Sequence, residues 1–184
     1  MSRPGKKVLC LPHDALRDLG GRLYLGGAVD ATLTLFETDD LAVRIQHIAA
    51  YPDGFSFVVA VFGEPYHELV DVAETLDFNP HRRGRRSPKH LHVLVELPDG
   101  TVLVSMHGGH HYTEAYLQRT REDGSDEHYE AELVAPVLPA EGPVTFVFEW
   151  VARGIDGARA TLDGGLLAAA ASRAQPLFEV ADLP

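Results

Sequence analysis

The sequence predicts an all-β protein: an antiparallel β-sandwich, immunoglobulin-like in its layering, of about 8–10 short strands with one C-terminal helix. Three observations predict it. Short segments of alternating or continuous apolar residues recur from Thr32 to Leu162. Turn signals separate them, the strongest being Tyr51-Pro52-Asp53-Gly54 and Asp99-Gly100. Only one stretch reads convincingly as helix, whereas a parallel α/β sheet needs a helix after most strands.

Residues 1–30 are mixed and Gly-rich, with a short helix expected around His13–Leu19. Thr32–Thr38 alternates Leu33 and Leu35 against Thr32 and Thr34, and Asp39-Asp40 turns the chain. Leu41–Ile48 alternates Leu41, Val43 and Ile45 against Ala42, Arg44 and Gln46. At 51–54 proline presets φ, and glycine accepts a positive φ. Phe55–Phe62 is nearly continuous in apolar and aromatic residues, which places it in a sheet centre. Glu64–Phe78 reads equally as a short helix or an edge strand, and Asn79–Lys89 as a basic loop. His90–Leu97 and Thr101–Met106 form a hairpin, and His110–Gln118 makes another strand. Arg119–Asp126 reads as a charged loop, and Glu127–Val134 as a half-exposed strand. Pro136, Pro139 and Pro143 punctuate a linker before the strand Val144–Val151. Ala152–Gly157 turns into a last strand, Ala158–Leu162. Asp163 then caps a helix from about Gly165 to Ala174, stopped before Pro176.

The 184 residues suit a single β-sandwich domain, 1–184, with a mixed N-terminal segment (1–30) and a C-terminal strand-helix element (144–184). The chain is 45% hydrophobic, enough for a substantial core. Its formal net charge of −11 repels nucleic acid and anionic membranes, which disfavours both as partners. One cysteine, Cys10, cannot form an internal disulfide and fits a reducing compartment. The N-terminal apolar run is ended by Pro12, His13 and Asp14, too short for a signal-peptide core, and no stretch approaches the ~20 apolar residues of a membrane span. A cytoplasmic protein is the expectation.

The histidines around the central hairpin are the first chemical candidate. A two-residue turn at Asp99-Gly100 pairs Leu97 with Val102 and His92 with His107. One face then carries Val93, Val95, Leu97, Val102, Val104 and Met106. The other carries His90, His92, Leu94, Glu96, Leu103, Ser105 and His107. Imidazoles two apart on a strand point the same way, so His90, His92 and His107 would suit zinc or another divalent metal, with His110 or His111 as a fourth ligand. Burying an aliphatic side chain stabilises by roughly 1.5–3 kcal/mol, so the valine face should claim the core and the histidines should look outward. The plainer reading is a set of dispersed surface histidines.

Two resemblances attach to these segments. LFETDDLAVRIQHIAAYPDGFSFVVAVF (Leu35–Phe62) and GPVTFVFEWVARGIDGARATLDGGLLAAAASRAQPLF (Gly142–Phe178) resemble an uncharacterised family of small actinobacterial proteins, and LHVLVELPDG fits its central strand and turn. The resemblance implies a β-sandwich and no particular activity. Gly84, His90, His92 and Glu96, spaced G-x5-H-x-H-x3-E, resemble the first metal motif of the cupins, which implies a metal held inside a barrel by both histidines and the glutamate. Here Glu96 stands two residues before a turn, and the apolar face competes for the interior, so the cupin arrangement is disfavoured.

Arg82, Arg83, Arg85, Arg86 and Lys89 put five positive charges in eight residues. Arginine clusters bind phosphates and carboxylates, so this loop is the candidate anion or nucleic-acid site. The acidic stretch Glu122–Glu132 can neutralise it, or both can simply be solvated. No serine sits in a Gly-x-Ser-x-Gly elbow, and the Gly-Gly pairs lack the helix and lysine of a phosphate-binding loop. Trp150 on its apolar strand is expected in the core. Taken together these features predict a non-enzymatic module binding a protein partner or a second copy of itself. A histidine metal site and an anion-binding loop are the alternatives, and no cofactor is expected beyond zinc or a similar metal.

Overall fold

A computed structural model of the chain describes residues 15–17, 23–63, 91–106, 116–124 and 128–177. The strands are β1 (Ala15–Arg17), β2 (Leu23–Leu25), β3 (Gly27–Val29), β4 (Leu33–Glu37), β5 (Leu41–Tyr51), β6 (Gly54–Gly63), β7 (His92–Glu96), β8 (Val102–Met106), β9 (Tyr116–Gly124), β10 (His128–Ala135), β11 (Pro143–Trp150), β12 (Ile155–Asp163) and β13 (Gln175–Pro176). One helix, α1 (Gly164–Ala171), follows β12. The all-β class with a single helix holds for the described residues. Three strands form a small sheet in the order β1-β2-β13. Ten strands form one sheet in the order β12-β11-β7-β8-β9-β10-β6-β5-β3, with β4 also on β5, and it curls into a half-barrel.

The curl follows from the aromatic core. Phe57 on β6 and Phe146 on β11 belong to strands well separated in the sheet order, yet their rings stand 5.0 Å apart at 77°. Phe55 meets Phe146 edge-on at 6.5 Å. Edge-to-face contact of this kind adds about 0.5–1.5 kcal/mol per pair to the burial itself. These rings, with Val43, Ile45, Val61, Leu91, Val93, Val95, Leu103 and Leu117, fill the concave side. Trp150 is buried in the same core.

Most pairs are antiparallel, and β8 with β9 is the exception, running parallel from Val104 opposite Tyr116. β6 lies between β5 and β10, which accounts for its continuous apolar sequence. The turn before it needs glycine for a different reason from the expected one. A Cβ on Gly54 would run into the Ala135 carbonyl of β10, so close approach rather than positive φ excludes a side chain. On β5 the register slips between Gln46 and Ala49, and His47 takes a left-handed φ of 50°. The bulge marks the point where the outer partner of β5 changes from β4 to β3.

Four expectations change. Ala15–Arg17 is a strand rather than helix, paired with Leu23–Leu25, and β13 pairs on the other side of β2. Residues 119–124 continue β9 instead of looping, because β10 templates them on either side of a bulge at Thr120 and Arg119–Glu122 and Arg121–Asp123 pair their charges. After β11 the turn is short: a 3-10 turn at Val151–Arg153 closes on Gly154, φ 72°, and β12 starts at Ile155. The helix ends at Ala171, three residues early, while Asp163 caps it as expected by accepting from the Gly165 N–H at 2.9 Å. Glu64–Phe78 and Asn79–Lys89 lie outside the described residues.

The hairpin register is the correction with most consequence. The loop is Pro98-Asp99-Gly100: Leu97 N–H donates to the Thr101 carbonyl, Gly100 N–H to the Leu97 carbonyl, and Gly100 has φ 86°. This is the three-residue hairpin that ends in a left-handed residue. It pairs Glu96 with Val102, Val95 with Leu103 and Leu94 with Val104. The side chains of Val102, Leu103 and Val104 therefore move to the opposite face from the one a two-residue turn gives. Leu103 is 0% exposed in the core, and Val102 is 45% exposed outside.

Candidate functional site

Leu91, Val93, Val95 and Leu97 enter the concave core, so the valine face of β7 does claim the interior. His92 points to the convex side, opposite Glu149 of β11, but is only 7% exposed there. The expected solvated histidine is thus a buried one. Glu96 lies four residues further along the same strand, roughly 13 Å away at the usual rise. Its carboxylate accepts from Arg159 Nη1 at 2.8 Å. The Glu96 carboxylate is thus engaged by a guanidinium from β12. The pairing of His92 with His107 was expected from a two-residue turn, and the turn has three residues. His90, His107, His110 and His111 lie outside the described residues, as do Arg82, Arg83, Arg85, Arg86 and Lys89. Among the described residues no three His, Cys, Asp or Glu side chains gather as a metal group.

The described polar groups converge elsewhere, on β9 and β10. β10 alternates strictly, with Tyr129, Ala131, Leu133 and Ala135 buried and His128, Glu130 and Glu132 directed outward. Its register sets His128 beside Phe62 and Glu130 beside Ala60 of β6. Ala60 in turn pairs with Arg44 of β5, and Val58 pairs with Gln46. Glu130 Oε1 accepts from Gln46 Nε2 at 2.8 Å and stands 3.0 Å from His128 Nε2. The His128 ring packs on Phe62 with centroids 5.0 Å apart. Arg121 and Asp123 occupy the same convex face across from Glu132 and Glu130. Thr120 Oγ1 donates to Glu132 Oε2 at 3.0 Å.

On the concave side the same hairpin ends in a second polar group. Arg119, opposite Leu133, has a side chain only 14% exposed and lies 2.7 Å from Glu122 Oε2. Tyr129 O–H donates to the same carboxylate oxygen at 3.2 Å. Burial first, and the Glu122 charge second, push the Tyr129 phenol well above its ordinary value, against the opposing pull of Arg119. Gly124 faces Tyr129 across the pair, where a Cβ would sit 3.3 Å from the ring.

None of these residues was a sequence candidate. His128-x-Glu130-x-Glu132 carried a signal, since residues two apart on a half-buried strand share its outer face. Gln46 carried none, because it meets Glu130 only through the pairing of β5, β6 and β10. No helix among the described residues is long and apolar enough to cross a membrane. Comparison of the chain with protein-family models, with curated proteins and with solved structures yields no match, so the geometry alone carries the functional argument.

Proposed function

We propose that the chain is a non-enzymatic cytoplasmic binding module that docks a protein, another chain or a second copy, on the convex face of β9 and β10. One observation carries the reading: His128, Glu130, Glu132, Arg121 and Asp123 stand in rows on paired strands and are held by neighbours. Side chains fixed on a sheet lose little entropy on binding, which favours recognition. The face has a surplus of carboxylates, matching the chain's charge of −11, and so suits a basic partner surface.

Affinity capture tests this, provided the captured protein is then reconstituted from pure components. The double variant Glu130→Lys, Glu132→Lys should weaken that complex at least tenfold and leave the thermal melt in place. Unchanged affinity, or robust small-molecule turnover by the pure protein, would overturn the reading.

A further inference from the structure

We infer that His128 is a pH gate on the docking face of β9 and β10: its protonation closes the face to a basic partner, and its deprotonation opens it. The inference rests on the reading of that face as a docking surface, and it names the regulation of the same site.

The gate is built on one carboxylate oxygen. Glu130 Oε1 lies 3.0 Å from His128 Nε2 and accepts from Gln46 Nε2 at 2.8 Å. A neutral imidazole donates to such an oxygen through Nε2–H, and an imidazolium donates from the same place with a full positive charge. The contact is therefore an ion pair only while His128 is protonated. Imidazole is the side chain that ordinarily changes charge between about pH 5 and 8. Phe62 holds the ring, with centroids 5.0 Å apart, so the charge can change while the ring stays in place. The two side chains are each about one-third exposed, open to a proton and to a partner.

The surroundings decide how much one proton matters. β6 sets Phe62 beside His128 and Ala60 beside Glu130, and neither is charged. Beyond them on β5, Arg44 pairs with Glu37 at 3.8 Å. From β9, Asp123 stands opposite Glu130 and Arg121 opposite Glu132. Among the described residues, the outward rows of β9 and β10 thus set three carboxylates (Glu130, Glu132, Asp123) against one guanidinium (Arg121). Three negative charges less one positive leave two negative charges when His128 is neutral. Protonation halves that to one, and it neutralises the carboxylate nearest the ring. A partner's arginine or lysine directed at Glu130 then meets an imidazolium already on it, a repulsion that salt screens. By linkage the effect is reciprocal, and a basic partner expels the His128 proton.

An octa-arginine peptide tests the gate, because its guanidinium groups stay charged at any working pH. Its affinity for the full chain is measured at about pH 8 and about pH 5.5 in low salt, a window above the ordinary carboxylate range. Binding should weaken at least threefold at the lower pH, and added salt should shrink the difference. His128→Gln, with unchanged circular dichroism, should bind equally at both. In the free chain the Gln46 side-chain amide resonances should move with the same midpoint as the His128 ring protons, and stay fixed in His128→Gln. Equal wild-type binding at both pH values overturns the gate and leaves the docking face standing. So does a pH dependence that persists in His128→Gln, or a Gln46 amide that ignores the titration. A peptide that fails to bind at about pH 8, or binds unchanged to the double variant Glu130→Lys, Glu132→Lys, overturns the docking reading and the gate with it.

Discussion

The hairpins β7–β8 and β9–β10 lie side by side in one sheet and are built on opposite plans. β7 is buried on both faces: Val93 and Val95 in the concave core, His92 and Leu94 on the convex side. β10 alternates without exception, and β9 beyond Arg119 is polar and exposed. Apolar content therefore does not decide which segments become strands here. β7 sits between β11 and β8, and apolar neighbours surround it. The outer half of β9 has few apolar side chains, and it is extended because β10 supplies a backbone ladder and opposite charges close on each other. The concave face supplies the stability, and on β9 and β10 the convex face is free to carry chemistry.

Neighbouring residues of β8 give the largest effect. Leu103→Ala should cost about 2–5 kcal/mol, as expected for truncating a fully buried leucine. Val102→Ala, one position away and 45% exposed, should stay within about 0.5 kcal/mol. Urea denaturation measures both. Equal costs, or a larger cost at Val102, would restore the two-residue turn and reverse the faces of β8.

The polar end of β9–β10 should respond mainly to pH. An unfolded tyrosine titrates near 10, whereas burial and Glu122 hold Tyr129 protonated to higher pH in the folded chain. Above about pH 10 the unfolded chain has already lost this proton and the folded one keeps it, so stability falls as pH rises through that window. Tyr129→Phe should remove about one proton of this alkaline slope. At neutral pH it should cost roughly 1 kcal/mol, the lost donor to a half-exposed carboxylate. An unchanged slope between pH 9 and 11 would assign the alkaline sensitivity to other groups.

The contrast also explains what the sequence made legible. Phe55–Phe62 announced a central strand because burial on both faces leaves a continuous apolar run, and Val144–Val151 announced a strand by its β-branched and aromatic residues. Asp163 announced the helix because its cap is a local contact. The β9 extension was hidden, since RTRED has strand character only beside β10. The β8 register was hidden because Pro-Asp-Gly fits two loop lengths, and a side-chain bond from the Thr101 N–H to Asp99 Oδ1 at 2.9 Å helps fix the longer one. The candidate site was least legible: Glu130 meets Gln46 across 84 residues of chain.

The smallest effect separates charge from cover on the convex side of β7. Arg159 of β12 stands opposite Val147 of β11, yet its guanidinium reaches Glu96 on β7. Its side chain therefore crosses β11 and lies over Val147, which is buried on this outer face. The ion pair itself is solvent-accessible, so Glu96→Gln should cost no more than about 1 kcal/mol and less in high salt. Arg159→Ala removes the hydrocarbon stem as well and should cost several tenths of a kcal/mol more, in a salt-independent manner. Arg159→Met keeps the stem and should recover that excess. If Met and Ala are equally destabilising, Arg159 acts on β7 through its charge alone, and the burial of Val147 comes from other contacts.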